Sequence, residues 1–318
     1  MYKKKFKVIL VGLGNIGMMY DLKSKKKNNF FTHSKSIKFS KDFVLKAGVE
    51  ISSSKRKLFE KIFKLPVFKN LNSALDKIDA NLVIIATNEN NHVKLLKRIS
   101  GCKKIKYIIL EKPGGRNFKE LKYMFRISEK NNIRLFLNYF RMYDEYYSKE
   151  IKNLFSKKNI DVVANYKRGI RNNCSHIINF LLMLNTPKSQ KDIKFSFFKK
   201  HSEEKKKVLN VSWNKSKAIF INPDIKKFSF VKIQVFSNLN YILSNNDFSE
   251  FDLYKKKKSV MLSGNSEFKF LKTLKNKNKD KYQKFFYDRF KENVKNYKFY
   301  KKNSLFTSYI IDRMSLIN

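Results

Sequence analysis

Lys7-Val8-Ile9-Leu10-Val11-Gly12-Leu13-Gly14-Asn15-Ile16-Gly17 decides the fold. A short β-branched run ends in a glycine-rich turn, and a helical pattern begins at Ile16. Strand, then GxGxxG, then helix is the order that separates a dinucleotide-binding turn from chance spacing. Gly12 permits the tight turn, Gly14 lets the backbone approach a pyrophosphate, and Gly17 lets helix and strand pack closely. Asn15 and Ile16 open the helix whose N-terminus then faces the anion.

Working outward, the first half alternates β-branched runs with helical patterns, the signature of a parallel sheet with crossover helices. The runs predict strands at Lys7 to Val11, Val44 to Val49, Leu82 to Ala86, Tyr107 to Leu110 and Arg134 to Leu137. Helices are predicted from Ile16, over Lys55 to Phe63, Asn91 to Ile99 and Phe118 to Asn131. Between Tyr20 and Lys41 lies a Lys/Asn/Ser-rich insertion, too polar for a core element, read as a loop with an extra helical turn.

Beyond Tyr139 the pattern changes. A helix over Cys174 to Leu184 precedes β-rich runs at Lys194 to Phe198, Val208 to Trp213, Lys217 to Ile221 and Phe228 to Leu243, as in an antiparallel sheet with one face covered. Helices over Tyr282 to Tyr297 and Leu305 to Leu316 close the chain, and Lys255 to Lys258 and Lys272 to Lys281 read as exposed charged loops. The fold class is therefore α/β: a doubly wound parallel Rossmann sheet over residues 1–138, then an α+β domain with a large, mostly antiparallel open sheet over 139–318.

Composition bounds the partners. Of the 318 residues, 42% are hydrophobic and 15% aromatic, well above what keeps charged chains disordered. A net charge of +45 ordinarily points to nucleic acid. Here the lysines run along the whole chain, with abundant Asn, Ile, Phe and Tyr and scarce Gly and Pro, a pattern of AT-biased coding. No specific nucleic-acid partner is expected, although anionic substrates are attracted. Cys102 and Cys174 are too few and too far apart for a disulfide framework or a zinc site, so a reducing, cytoplasmic setting without metal is expected. Lys3 to Lys5 before an apolar run copies a signal peptide superficially, but Gly12, Gly14 and Gly17 break the run. No stretch reaches the roughly 18 apolar residues of a membrane span.

Chemistry gathers at the predicted strand ends. Glu50 ends the second strand, where a carboxylate accepts ribose hydroxyls. It repels a 2′-phosphate and so favours NAD, whereas Ser52, Ser53, Lys55 and Arg56 just beyond can hold one, leaving NADP open. Ala86-Thr87-Asn88 and His92 follow the third strand, and Glu111-Lys112-Pro113 follows the fourth. Both lie on the edge where open α/β sheets bind ligands. From spacing alone, Lys112 reads equally well as one more surface lysine.

This ordered set resembles the Gfo/Idh/MocA family, named after glucose-fructose oxidoreductase and inositol dehydrogenase. Its five parts are the GLGNIG turn, the AGVE strand end, the ATNENNH segment, the EKP tripeptide and the SHIIN helix. The resemblance implies that Lys112 contacts both nicotinamide ribose and substrate, that His176 is the general acid/base, and that Asn88 and Glu111 lie along the cofactor. It also implies association through the open sheet as a homodimer or homotetramer. Asn172 stands where the common pattern has Asp, followed by Asn173. The counterparts Asn138-Tyr139-Phe140-Arg141-Met142-Tyr143-Asp144 and Gly169 to Asn179 are closest to a subgroup found with surface-polysaccharide genes, from which Cys174 and Asn179 depart.

The chemistry follows independently. Oxidising a secondary alcohol removes a hydroxyl proton as hydride leaves the same carbon, which calls for a base near neutral pKa. A neighbouring Lys ammonium stabilises the developing alkoxide, and Asn172 orients a sugar hydroxyl without adding charge. Arg141, Tyr166, Arg168 and Arg171 can bind a carboxylate or phosphate on the substrate; each reads equally as a surface partner. His92 is expected to support a helix start beside the cofactor-binding segment rather than to catalyse, and is counted with the cofactor-binding residues. His33 either reaches the cleft or is solvated, and His201 lies in a polar loop. The expected activity is NAD(P)-dependent hydride transfer at a hydroxyl or keto group of a sugar or sugar nucleotide. The rivals are a non-catalytic dinucleotide-binding sensor or scaffold, and an imine or enone reductase on the same scaffold.

Overall fold

The computed structural model describes residues 5–23, 28–156, 158–167, 171, 174–197, 208–221, 231–245, 248–259, 265–277 and 279–315. The chain forms two compact units, one of Met1–Asp144 with Asp280–Ser308 and one of Glu145–Lys279 with Tyr309–Asn318.

The first unit begins with β1 (Phe6–Val11), α1 (Tyr20–Lys23), α2 (His33–Lys38), β2 (Phe43–Val49), α3 (Ser53–Phe63), β3 (Val67–Phe68) and α4 (Leu71–Lys77). It continues through β4 (Leu82–Ile85), α5 (His92–Ser100), β5 (Tyr107–Leu110), α6 (Phe118–Lys130) and β6 (Arg134–Leu137). The strands lie in the order β3-β2-β1-β4-β5-β6, all parallel. This is the order of dinucleotide-binding folds.

The central strands are continuous apolar runs because helices cover both faces. Val8, Ile9 and Leu10 are fully buried, as are Leu82 to Ile85. Full burial contributes about 1.5–3 kcal/mol for each such side chain. α6 starts where the Asn117 side chain accepts from the Glu120 amide at 2.9 Å, satisfying a first-turn donor. Leu121, Met124, Phe125 and Ser128 then form its buried face, the i, i+3, i+4, i+7 spacing of a helix on a sheet.

The second unit contains α7 (Lys152–Phe155), β7 (Asp161–Tyr166), α8 (Ser175–Leu184), β8 (Lys194–Phe197), β9 (Val208–Trp213), β10 (Ser216–Ile221), β11 (Val231–Phe236), β12 (Asn240–Ser244), β13 (Glu250–Lys258) and β14 (Ser266–Lys275). Its eight strands run β14-β13-β12-β11-β7-β10-β9-β8, antiparallel throughout except for the parallel β7–β10 pair. Ile233, Val235, Ile242, Phe251 and Leu253 are buried on one face. On the other, Phe236 stacks on Tyr241 at 4.4 Å, Tyr241 meets Tyr254 at 5.0 Å, and Tyr254 meets Phe270 at 5.6 Å. The chain closes with α9 (Tyr282–Asp288), α10 (Phe290–Lys295) and α11 (Tyr297–Ser315).

Several elements differ from the sequence reading. The insertion is not excluded from the core: His33, Ser34, Ser36 and Ile37 of α2 are buried. Its polarity is satisfied internally, because the Asp21 carboxylate accepts from the Phe31 and Thr32 amides and from the Thr32 hydroxyl at 2.6–3.1 Å. Lys255 to Lys258 and Lys272 to Lys275 are strand, not loop. β14 is an edge strand with little burial, so it lacks apolar alternation, and exposed lysines suit an edge that must not pair further. The run read over Phe228 to Leu243 is two strands turning at 237–239, with 228–230 outside the described residues. The helix read over Tyr282 to Tyr297 is two helices, and the last helix starts at Tyr297, earlier than its apolar spacing suggests. The short β3, the helix α4 and the strand β7 were not read from the sequence.

Candidate active site

Strand order reverses between β1 and β4, which opens a crevice at their carboxyl ends. Every group described next from the first unit sits along that edge. Gly12 has φ +95°, and a Cβ there would lie 2.7 Å from the Ala86 carbonyl oxygen. A Cβ on Gly17 would stand 2.1 Å from the Gly12 carbonyl oxygen, so both glycines are required by the protein itself. Gly14 is different: a Cβ there meets nothing within 4 Å. The fold does not need that glycine, whereas a closely approaching ligand does. The segment after it is a π-helical turn, Asn15–Met19, leading into α1.

Glu50 ends β2 and is buried. One carboxylate oxygen accepts from the Leu13 amide at 2.9 Å and the other from the Ser52 amide at 3.0 Å. An ionised carboxylate has about four acceptor sites, so it retains capacity for ribose hydroxyls. Arg56 is pinned nearby, its guanidinium donating to the Glu50 and Ile51 carbonyls at 2.8 and 2.7 Å. The glycine turn, the open space at Gly14 and the adjacent carboxylate fit a dinucleotide.

Thr87 and Asn88 follow β4, and the Asn88 side chain accepts from the Asn90 amide at 3.1 Å. His92 is fully buried. Its Nδ1 lies 2.5 Å from the Gly114 carbonyl oxygen and its Nε2 3.0 Å from that of Thr87. It thereby ties the loop after β4 to the loop after β5, and is a loop clamp rather than a group facing a ligand.

Glu111 and Lys112 follow β5, and the Lys112–Pro113 bond is cis. Lys112 is half-buried; burial and the Arg141 charge push its ammonium below the usual lysine range, against the pull of Glu111 and Glu89. Glu111 is buried, which alone would raise its carboxyl, but His33, Asn138 and Lys112 outweigh this and hold it below the usual range. Asn138 donates to Glu111 at 2.6 Å. Arg141 lies against the Phe140 ring at 4.7 Å.

His33 corrects the sequence reading most sharply. It is neither solvated nor presented to a ligand: it is fully buried, with Nδ1 2.5 Å from the Tyr287 hydroxyl and Nε2 3.0 Å from Glu111. Tyr287, Gln283 and the supporting role of Asn138 were not singled out from sequence. No spacing in the sequence announces them, because they meet only through tertiary contact.

In the second unit, His176 is the second residue of α8 and is half-buried. Tyr166 ends β7 and is buried, and Arg171 forms a 3.7 Å ion pair with Asp312. Cys174 and Asn179 are fully buried; burial pushes the Cys174 thiol up. Arg168, Asn172, Asn173 and His201 lie outside the described residues. Among the described residues no cluster of three or more His, Cys, Asp or Glu could hold a metal ion, and no helix is long and apolar enough to cross a membrane.

Comparison with known proteins gives the class. Residues 6–139 match the model of the oxidoreductase family with an NAD-binding Rossmann fold. Over that segment the chain is similar to the Gfo/Idh/MocA family. The dehydrogenase MviM of Clostridium difficile is 14% identical, with 98% of this chain and 99% of that one covered and a TM-score of 0.70. The WlbA dehydrogenase of Bordetella pertussis, solved with NADH and UDP-GlcNAcA, is 13% identical, covered at 99% and 97%, with a TM-score of 0.68. A variant of KijD10, a 3-ketoreductase of Actinomadura kijaniata solved with TDP-benzene and NADP, is 10% identical, covered at 99% and 98%, with a TM-score of 0.69. No curated protein matches the chain. The fold class read from the sequence, a Rossmann sheet followed by a large mostly antiparallel sheet, is the fold observed.

Proposed function

We propose that this NAD(P)-dependent oxidoreductase transfers a hydride at a hydroxyl or keto carbon of a sugar, in the form of a nucleotide-linked, acidic sugar used in surface glycan synthesis. The observation that carries the reading is the shared strand edge: the open turn at Gly14, the Glu50 carboxylate and the half-buried Lys112 all stand on it. The nucleotide-sugar class is supported by the ligands of WlbA and KijD10 and by the basic balance of the chain. Residues 1–138, together with the closing segment Asp280–Ser308 of the same unit, take the dinucleotide role, and the rest of 139–318 the substrate and association roles.

When bound, nicotinamide supplies the hydride acceptor or donor. Gly12, Gly14, Asn15, Ile16 and Gly17 would hold the pyrophosphate, Glu50 the adenosine ribose, and Ala86, Thr87, Asn88 and Glu111 the remainder. With its carboxylate at the ribose site, NAD is the favoured cofactor; Arg56 leaves NADP accessible. His176 takes the hydroxyl proton in oxidation and returns it in reduction, while Lys112 stabilises charge on the substrate oxygen. A lysine held below its usual range is also closer to giving up its own proton. Asn172 and Asn173 orient sugar hydroxyls, and Arg141, Tyr166 and Arg168 bind the acidic group. The protein acts as a homodimer or homotetramer in the cytoplasm, through the aromatic face of the second sheet.

The test is a turnover screen of nucleotide-linked sugars with NAD and NADP. Turnover of an acidic member, reduced about 10²-fold or more in His176→Ala, supports the reading. Tight dinucleotide binding without turnover of any member contradicts it.

A further inference from the structure

Glu111 is held from an unexpected direction. Beside Asn138, its partner is His33 on α2 of the insertion, and these two are held in turn by Gln283 and Tyr287 on α9. His33 Nε2 is 3.0 Å from Glu111 Oε1, and the other ring nitrogen is 2.5 Å from the Tyr287 hydroxyl. Asn138 bridges Glu111 at 2.6 Å and Gln283 at 3.3 Å. An ionised carboxylate only accepts, so the proton between the two side chains sits on Nε2. Burial keeps the Tyr287 hydroxyl protonated, well above the usual tyrosine range, so it can donate to Nδ1. The chain Tyr287 to His33 to Glu111 thus gives both ring nitrogens and one carboxylate oxygen a partner, next in sequence to Lys112.

Resting on the reading of Lys112 as an active-site group, we propose that His33 and Tyr287 are positioning residues that keep the Glu111 carboxylate ionised and aimed so that Lys112 retains its proton. The insertion is thereby part of the catalytic apparatus, acting through Glu111 without touching the substrate. Among the described residues, these charged and titratable groups act on this pair. Lys112, His33, Tyr282 and Tyr287 act around Glu111, and Glu111, Arg141 and Glu89 around Lys112. Glu111 is thus the stronger of two anions, with Glu89, that oppose burial and Arg141 at Lys112. A buried carboxylate that loses its donor favours its neutral form, and Lys112 then loses the stronger of the two.

The test reads Lys112 directly, independent of any substrate. The full chain is pulse-acetylated across a pH series and the Lys112 peptide is quantified by mass spectrometry, since only the free amine reacts. Replacing His33 (His33→Leu) is expected to move the Lys112 midpoint down by about one pH unit, near tenfold faster labelling at neutral pH. His33→Gln, which can still donate to Glu111, should restore most of the wild-type profile, and Glu111→Gln should shift it at least as far as His33→Leu. An unchanged Lys112 profile in a folded His33→Leu or Glu111→Gln protein overturns the proposal. If His33→Leu fails to fold, an infrared difference between wild type and Glu111→Gln at neutral pH decides. A carboxylate band supports the proposal, and a protonated carboxyl band overturns it. Failure of the sugar screen with a shifted Lys112 profile would sink the dehydrogenase reading while leaving this electrostatic link intact.

Discussion

The two sheets of this protein spend their side chains in opposite ways. The parallel sheet buries its strands on both faces, so its chemistry is confined to one edge, where Gly14, Glu50, Glu111 and Lys112 follow strand ends. The antiparallel sheet buries one face and leaves the other to Phe236, Tyr241, Tyr254, Phe268 and Phe270. A doubly covered sheet offers ligands only its ends; a singly covered one offers a surface, and an exposed aromatic patch is a place for another protein to bind. Substitutions should therefore divide cleanly: edge changes alter turnover, and face changes alter assembly.

The largest effect is expected at the edge. Lys112→Met should lower kcat by about 10³-fold, within the range for a positioned catalytic group. The same variant should be no less stable at neutral pH. A lysine whose folded pKa is depressed favours the unfolded state below that pKa, a cost relieved only as pH rises towards its unfolded value. Thermal melts of the pair at neutral pH check this. Next come the glycines, which split the turn into fold and ligand roles. Gly17→Ala should cost about 3 kcal/mol or more in denaturant unfolding, since its Cβ would overlap backbone. Gly14→Ala should unfold like wild type yet raise the dinucleotide KM about tenfold, an effect of about 1.4 kcal/mol.

A smaller effect belongs to the buried carboxylate. Glu111 has its folded pKa lowered, so its contribution to stability is present above the usual glutamate range, about 4.3, and is lost as pH falls through the lower folded value. Glu111→Gln should flatten the acid limb of a stability against pH curve relative to wild type. The smallest expected change in activity is at the opposite face. Phe270→Ser should leave kcat within about twofold per active site while lowering the mass seen by light scattering, and an unchanged mass would remove that face from the assembly.

What could be read from the sequence follows the same division. Strands buried on both faces announce themselves as short continuous apolar runs, so β1, β4, β5 and β6 are legible to within a residue. The glycine turn was legible because its spacing is dictated by backbone geometry. β13 and β14 were not, since their exposed lysines erase the alternation that marks a strand, and the fold there is held by cross-strand pairing. The insertion hid for another reason: Asp21 and Thr32 satisfy its backbone locally, and no periodicity records such a staple. The surroundings of Glu111 were equally hidden: its partner His33 lies in the insertion, and Tyr287 and Gln283, which hold His33 and Asn138, are well over a hundred residues away from Glu111, so only tertiary contact assembles them.

The most direct test follows nicotinamide absorbance with NAD near saturation and a nucleotide-linked acidic sugar, comparing wild type with Lys112→Met. Wild type should convert the sugar, while Lys112→Met should still bind the dinucleotide and convert almost nothing. Equal rates in the two proteins, or no absorbance change in wild type with any sugar and either cofactor, would contradict the account.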